Sequence, residues 1–228
     1  MNPILRDLIP PLLLRQLRRI RDAAKAPAAV ANRPGSQDLD VYWDERMAEM
    51  LEHWGEGNAW NEIQLLLAAR RGRVLDIACG TGRVMSMFSS RRDIEVHGVD
   101  ISDMLIGKAI ARGVARELLT IGDATRMAYP DGAFDLGYSI GSLEHFTEDG
   151  IFAFLRECHR VCKTTSFHMI PVSRSGADEG WIKTFQSYYN NNAEWWLAKC
   201  RTVYKRAYAL ESVWQDERSL GIWLICQD

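Results

Sequence analysis

The chain has 228 residues, of which 47% are hydrophobic and 25% charged, an ordinary globular composition sufficient for one sizeable domain. The formal net charge of −2 gives no general attraction to nucleic acid, and no apolar run approaches the roughly 18 residues of a membrane span. The five cysteines are odd in number and scattered, which predicts free thiols in a reducing cytoplasm.

The N-terminal segment differs in charge from the rest. Residues 1–33 contain seven Lys/Arg and two Asp/Glu, a net charge of +5, so the remainder carries −7. Leu13, Leu17 and Ile20 share one helical face, and arginines such as Arg15 and Arg18 occupy the other. We therefore expect a basic amphipathic helix over 11–25, a linker, and one domain over 34–228. The helix either packs on its own domain or contacts an anionic membrane surface or a partner protein.

Two helical stretches precede the first strand. Apolar residues from Asp38 to Trp54 recur at helical spacing, and Asp38 is a plausible N-cap. A second helix is expected over 58–70. From RVLDIA onward, buried strands alternate with helices, which predicts an α/β fold whose parallel sheet is covered on both faces.

Further strands are expected at IEVHGVD, LLTIGD, AFDLGYSIGS and SFHMIPVS, with a helix after Ser102 and another from about Gly150 to Lys163. The C-terminal segments YKRAYALESVW and SLGIWLICQ are separated only by a short polar link. A link of this length cannot hold a crossover helix, so we expect an antiparallel hairpin at one side of the sheet.

A glycine-rich turn ends the first strand. Gly80-Thr81-Gly82 lies between strand and helix, where glycine lets a ligand approach backbone N–H groups. Asp100 ends the second strand, 18 residues beyond Gly82, where a carboxylate accepts hydrogen bonds from ribose hydroxyls. Together they predict a nucleoside site at the carboxyl ends of the strands.

Two classes of nucleoside ligand fit this pattern. A dinucleotide motif would require a third glycine where Met85 stands, and no basic group for a second phosphate is evident. Asp76, inside the first strand, would repel a pyrophosphate but attract an ammonium group. A ligand that combines ribose with cationic groups, such as S-adenosylmethionine, is favoured over NAD.

Over residues 40–170 the chain resembles, in the order and spacing of its motifs, the class I S-adenosylmethionine-dependent methyltransferases. The segments that carry the resemblance are VLDIACGTGRV, VHGVDIS, IGDATRMAYPDGAFDLGYSIGSLEHF and ECHRVCK. The resemblance implies a doubly wound seven-stranded sheet of order 3-2-1-4-5-7-6, with strand 7 antiparallel. It also implies the positions of the cofactor contacts: Tyr42, Asp76, Ala78, Gly80, Thr81, Gly82, Asp100, Ile101, Asp123, Ala124, Ser139 and Ile140.

The resemblance also implies which part of S-adenosylmethionine these residues would contact. Asp76 would face the methionine ammonium, and Asp100 both ribose hydroxyls. Asp123 would accept from the adenine amino group, and Ser139 and Ile140 would line the methionine arm. Tyr42 either closes over the cofactor or packs in the core.

Three side chains are candidates for the catalytic base. Glu144 and His145 follow the fourth strand, and the ordinary pKa of a histidine suits proton transfer near neutral pH. His168 near the end of the fifth strand is the other candidate. For both histidines a structural role is the alternative. The cysteine and histidine spacing predicts no metal site.

The insertion over 173–200 is rich in aromatic and amide side chains. Such groups suit a sugar, because rings stack on C–H faces and amides bond hydroxyls; the candidates are Trp181, Tyr188, Tyr189 and Asn191. The C-terminal pattern is also similar to small methyltransferases of surface-polysaccharide assembly, which implies a glycan acceptor and possible contact of residues 11–25 with a glycosyltransferase or the membrane.

Three functions stay open at this point: O-methylation of a sugar or glycan, N-methylation of a small molecule, and a non-catalytic nucleoside-binding assembly role. Methylation of nucleic acid is not expected, since no basic patch lies near the predicted site.

Overall fold

A seven-stranded sheet forms the centre of residues 37–228, the part of the chain that the structure, a computed structural model, describes. The strands in chain order are β1 (Gly72–Ile77), β2 (Ile94–Asp100), β3 (Leu119–Ile121), β4 (Phe134–Ile140), β5 (Cys162–Ser173), β6 (Trp181–Ile182), β7 (Tyr188–Tyr189), β8 (Arg206–Gln215) and β9 (Ser219–Gln227). Strands β6 and β7 form a separate two-stranded ribbon.

The sheet order is β3-β2-β1-β4-β5-β9-β8. Strands β1 to β5 pair in parallel, whereas β9 pairs antiparallel with both β5 and β8. Without the small ribbon, this is the predicted order 3-2-1-4-5-7-6 with an antiparallel last strand, and the prediction is confirmed.

Six α-helices lie among the described residues: α1 (Glu45–Met50), α2 (Ala59–Leu66), α3 (Arg83–Met87), α4 (Asp103–Ala111), α5 (Glu148–Val161) and α6 (Ala193–Cys200). Several begin at a side-chain cap. Ser102 accepts from Leu105 N at 3.2 Å, Thr147 from Gly150 N at 3.1 Å, and Asn192 from Trp195 N at 2.8 Å.

The N-terminal helices differ from the prediction. Asp38 makes no cap hydrogen bond, and a short 3₁₀ helix follows it over Leu39–Trp43. The chain then becomes extended at Asp44, whose carboxylate accepts from Arg46 N at 2.8 Å and starts α1. The expected continuous helix from Asp38 is therefore wrong, because a second cap interrupts it. Helix α2 ends at Leu66, earlier than expected.

The buried apolar side chains form two clusters. One contains residues of α2, α3 and α4, such as Ile63, Met85 and Ile106. The other contains residues of α5 and α6, such as Phe154 and Trp196. This division agrees with helices on both faces of the sheet, which leaves the carboxyl ends of the parallel strands available for ligands.

The predicted basic helix over 11–25 and the domain boundary at 33/34 lie outside the described residues. Within residues 37–228, no helix is long and apolar enough to span a bilayer. The five cysteines are all buried and none forms a disulfide.

Candidate functional site

A cavity of about 270 Å³ lies at the carboxyl ends of β1, β2 and β4. We call it the Asp100 cavity. Eight of the twelve predicted cofactor residues line it: Tyr42, Ala78, Gly80, Asp100, Ile101, Asp123, Ala124 and Ile140. The turn after β1 and the end of β2 therefore meet as their positions in a doubly wound sheet require.

The Asp100 carboxylate is fixed by two backbone donors. One oxygen accepts from Gly80 N and the other from Ser102 N, each at 2.9 Å. Burial raises the pKa of Asp100, and these hydrogen bonds oppose the rise. Each carboxylate oxygen can accept a further hydrogen bond, so the group fits two adjacent hydroxyls of a ribose.

The turn after β1 has left-handed backbone at three positions. Ala78 has φ of 60°, Gly80 of 53° and Gly82 of 67°. Only Ala78 carries a side chain there, which is costly for an L-residue. Gly82 lines neither the Asp100 cavity nor its neighbouring recess. A Cβ on Gly82 would meet the Ala109 Cβ at 2.8 Å, so glycine at this position permits close packing of the turn on α4.

Asp123 and Tyr42 border the Asp100 cavity from different segments. One Asp123 oxygen accepts from Thr125 N and Thr125 Oγ1, each at 2.8 Å, which fixes the carboxylate at the cavity rim. The Tyr42 hydroxyl accepts from Gln186 Nε2 at 3.3 Å. This contact joins the 3₁₀ helix Leu39–Trp43 to the insertion after β5, and residues of both line the cavity.

A small adjoining recess is lined by Asp76, Thr81 and Arg83, and we call it the Asp76 recess. Asp76 Oδ2 accepts from the Tyr138 hydroxyl at 2.8 Å. Burial raises the pKa of Asp76 to about 7, the Tyr138 hydrogen bond opposes the rise and the charge of Asp100 adds to it. A bound ammonium group would favour the ionised form.

Arg83 supplies the opposite charge in this recess. Its guanidinium lies over the Trp60 ring, 5.3 Å from the centroid, and it forms no salt bridge within residues 37–228. Ala78, Gly80 and Ile140 line both the recess and the Asp100 cavity. A carboxylate and a guanidinium beside a ribose site match the zwitterionic amino-acid end of S-adenosylmethionine.

A third space of about 350 Å³ contains Glu144 and His145, and we call it the Glu144 cavity. His145 Nδ1 lies 2.8 Å from the Ser187 carbonyl oxygen. Because a carbonyl only accepts, Nδ1 carries the hydrogen and Nε2 the lone pair. Nε2 lies 3.6 Å from Glu144 Oε1, beyond hydrogen-bond length.

Both groups of this pair favour their neutral forms. Burial raises the pKa of Glu144 to about 8 and lowers the pKa of His145 to about 4. Glu144 Oε2 has no hydrogen-bond partner within the described residues, although it is buried. An unpaired buried carboxyl oxygen is costly, and a ligand donor would satisfy it.

The Asp100 and Glu144 cavities adjoin. Met47, Leu51, Gly141 and Gln186 line both of them. A ligand that fills the Asp100 cavity and the Asp76 recess would therefore lie beside whatever occupies the Glu144 cavity. This is the arrangement that transfer of a group between two bound molecules requires.

His168 and Ser139 do not belong to this site. His168 is fully buried, with Nδ1 at 2.9 Å from Ser139 Oγ and Nε2 at 2.9 Å from Ser166 Oγ. Burial lowers its pKa to about 3. Neither residue lines the cavities, and both ring nitrogens have hydroxyl partners. The expected catalytic role of His168 is therefore not supported, nor is the expected contact of Ser139.

The predicted substrate residues are only partly brought together. Tyr188 lines the Glu144 cavity, and its ring centroid lies 6.4 Å from that of His145. Tyr189 instead packs between Trp181 and Trp195. Asn191 is buried, and its Oδ1 accepts from Gly180 N at 2.7 Å. Its amide oxygen holds the insertion in shape and is not presented to a sugar.

Several lining residues were not predicted as site residues. Arg83 follows the glycine turn directly, and its position could have indicated a ligand charge. Met47, Leu51 and Trp54 have the spacing of a helix that packs on a core, yet they line the cavities. Trp214 and Gln186 come from distant segments and carry no local signal. No group of three or more potential metal ligands occurs within the described part of the chain.

Comparison with known proteins agrees with this geometry. A family model described as a methyltransferase domain matches residues 74–165. Ajmaline N-methyltransferase of Rauvolfia serpentina is 38% identical over 93 residues, which cover 39% of this chain and 31% of that protein. The 27-O-demethylrifamycin SV methyltransferase of Amycolatopsis mediterranei is 29% identical over 128 residues, which cover 54% of this chain and 46% of that protein. The chain thus spans less than half the length of these relatives.

Among solved structures, the 1,6-didemethyltoxoflavin-N1-methyltransferase of Burkholderia thailandensis, with bound 1,6-didemethyltoxoflavin and S-adenosylhomocysteine, superposes with a TM-score of 0.64. The two share 18% identity, and the superposition covers 83% of this chain and 85% of that one. The family match overlaps the strands and turns that form the Asp100 cavity. Residues 74–165 therefore match a methyltransferase-domain model, and the chain has a Rossmann-like methyltransferase fold.

Proposed function

We propose that the chain transfers a methyl group from S-adenosylmethionine to a nucleophilic nitrogen or oxygen of a small molecule held in the Glu144 cavity. The observation that carries this proposal is the adjacency of the two cavities, which share Met47, Leu51, Gly141 and Gln186. Methyl transfer needs an in-line approach of nucleophile, methyl carbon and sulfur, so holding both molecules side by side is the main contribution of the protein.

Residues of this chain have matching roles toward the cofactor. Asp100 would accept from both ribose hydroxyls, and Asp123 from the adenine amino group. Asp76 would pair with the methionine ammonium and Arg83 with its carboxylate. The methyl group would then point toward the cavity that Glu144 and His145 line.

A glycan acceptor has less support than a compact apolar one. The amide oxygens of Asn190 and Asn191 accept from Ser219 Oγ and Gly180 N inside the protein. Aromatic and methionine side chains dominate the Glu144 cavity instead. Contact of residues 11–25 with a membrane or a glycosyltransferase, and a cytoplasmic location at the inner membrane face, stay predictions.

Titration calorimetry with S-adenosylhomocysteine, with NAD in parallel, tests the cofactor. We expect binding of S-adenosylhomocysteine in the micromolar range and none of NAD. Incubation with S-adenosylmethionine and candidate acceptors, followed by mass spectrometry, then tests transfer. Binding of NAD alone would refute the cofactor assignment, and cofactor binding without transfer to any nitrogen or oxygen nucleophile would favour the non-catalytic alternative.

A further inference from the structure

We infer that the methyl acceptor is a small apolar amine, held by aromatic walls and deprotonated by Glu144. The inference rests on the proposed function and narrows it from any nitrogen or oxygen nucleophile to one chemical class. It excludes phosphorylated and sugar acceptors from the Glu144 cavity.

The walls of the Glu144 cavity are aromatic. Trp54 and Trp214 meet edge to face with centroids 6.3 Å apart, and Phe185 and Tyr188 are the other aromatic side chains of the lining. Such rings bind flat apolar groups, and their faces attract an ammonium group. They offer few hydrogen-bonding groups to a polyhydroxylated ligand.

The charges of the cavity also favour a cation. Its two ionisable acids are Glu144 and Asp216, and no Lys or Arg is among its described lining residues. Asp216 is partly engaged, since one of its oxygens accepts from Arg218 N at 2.8 Å. The guanidinium of Arg46 lies 4.8 Å over the Phe185 ring, but Asp44 already pairs with it at 2.7 Å. A phosphate or carboxylate on the acceptor would thus meet acids without an unpaired cation among the lining residues.

Glu144 is the group that points to a ligand donor. Its side chain is 5% exposed, and Oε2 is unpartnered within residues 37–228. Neighbouring His145 is a poor proton acceptor, because burial lowers its pKa to about 4, whereas burial raises the pKa of Glu144 to about 8. An ammonium group bound beside Glu144 would favour the ionised form of this carboxyl, and a carboxylate of this basicity is matched to an ammonium group far better than to an aliphatic hydroxyl.

Proton transfer to Glu144 precedes methyl transfer. An ammonium acceptor gives one proton to the Glu144 carboxylate and becomes a neutral amine. The nitrogen lone pair forms a bond to the methyl carbon as the carbon–sulfur bond breaks, and that electron pair stays on sulfur. The products are a methylated ammonium group and S-adenosylhomocysteine, and the proton on Glu144 passes to solvent.

Matched amine and alcohol probes test this inference on the full chain saturated with S-adenosylhomocysteine. The probes are tryptamine against indole-3-ethanol, and phenethylamine against 2-phenylethanol, titrated by calorimetry. We expect each amine to bind at least about tenfold more tightly than its alcohol, from ion pairing and cation–π contact. Glu144→Gln should reduce this ratio at least about threefold, because the change removes the ion pair and leaves the cation–π contact, while affinity for S-adenosylhomocysteine stays within about twofold.

Glu211→Gln, the same chemical change on exposed strand β8, is the matched control and should keep the ratio. Circular dichroism establishes that both variants fold. Alcohols that bind as well as the amines, a ratio that survives Glu144→Gln, or failure of every amine to bind would each overturn the inference. Failure of wild-type protein to bind S-adenosylhomocysteine would instead overturn the proposed function.

Discussion

Arg83→Ala gives a sharp test of how the site recognises the amino-acid end of the cofactor. The guanidinium lines the Asp76 recess, is half-buried, and forms no salt bridge with the residues that the structure describes. Its charge helps to lower the pKa of Glu52, but no salt bridge among the described residues occupies it, so it is available to a ligand carboxylate. We expect weaker cofactor binding with little change in fold stability.

The magnitude follows from the charge pair. A guanidinium and a carboxylate about 4 Å apart interact by about 4 kcal/mol at an effective dielectric constant near 20. Partial exposure of Arg83 reduces this value, and hydrogen bonds to charged groups contribute about 1.5–3 kcal/mol net. The dissociation constant for S-adenosylhomocysteine should thus rise about 10- to 150-fold.

Decarboxylated S-adenosylmethionine is the discriminating ligand, because it keeps the ammonium group and lacks only the carboxylate. Titration calorimetry should show that Arg83→Ala binds it as wild type does, whereas Asp76→Asn weakens the binding of both ligands. Arg83→Lys should retain part of the affinity for S-adenosylhomocysteine. An equal loss of affinity for both ligands in Arg83→Ala would refute carboxylate recognition and assign the arginine a structural role.

Four further outcomes follow from the structure. Asp100→Ala should weaken the binding of S-adenosylhomocysteine at least about 100-fold, since two hydrogen bonds to a charged acceptor are lost. Calorimetry showing unchanged affinity would reject the assignment of Asp100 to the ribose. His168→Ala should lower the free energy of unfolding by about 1–3 kcal/mol in urea titrations, because Ser139 Oγ loses its partner whereas Ser166 Oγ keeps Tyr204, and should leave cofactor affinity within about twofold. Because burial raises the pKa of Asp76 to about 7, the free energy of unfolding of the wild type should fall as pH rises from about 4 through 7. In urea titrations across this pH range, Asp76→Asn should remove up to about 4 kcal/mol of that fall. Ala78→Gly relieves left-handed strain of about 1–2 kcal/mol, partly offset by unfolded-state entropy, so denaturation should show a gain of up to about 1 kcal/mol, and a loss would contradict the strain.

The parts of the fold predicted correctly are those with local signals. Gly80 and Asp100 lie at adjacent strand ends because a parallel sheet brings successive carboxyl ends to one edge. The C-terminal hairpin was predicted because its link is too short for a crossover. Both inferences needed only nearby residues and the rules of strand connection.

The site predictions that the structure does not support concern residues in strands and loops whose surroundings the local sequence does not specify. Strand β5 is covered on both faces, so its apolar pattern does not show which way His168 points. Its partners Ser139 and Ser166 emerge only from the register of β4 with β5 and from the ring position. Likewise, the sequence does not show that the Asn191 side chain accepts a hydrogen bond from the backbone N–H of Gly180, eleven residues earlier, so Asn191 was predicted to contact a ligand.

The position of β9 affects how the chain can fold during synthesis. Strand β9 follows β8 in sequence but lies between β5 and β8, and it pairs with both along nearly its whole length. Until residue 227 has left the ribosome, one edge of β5 has no partner from β9, and its N–H and C=O groups are open to other chains. Strands β1 to β4, whose carboxyl ends border the Asp100 cavity, are complete much earlier. The nascent chain therefore passes through a stage in which these strands can assemble while the sheet beside the Glu144 cavity is still unfinished.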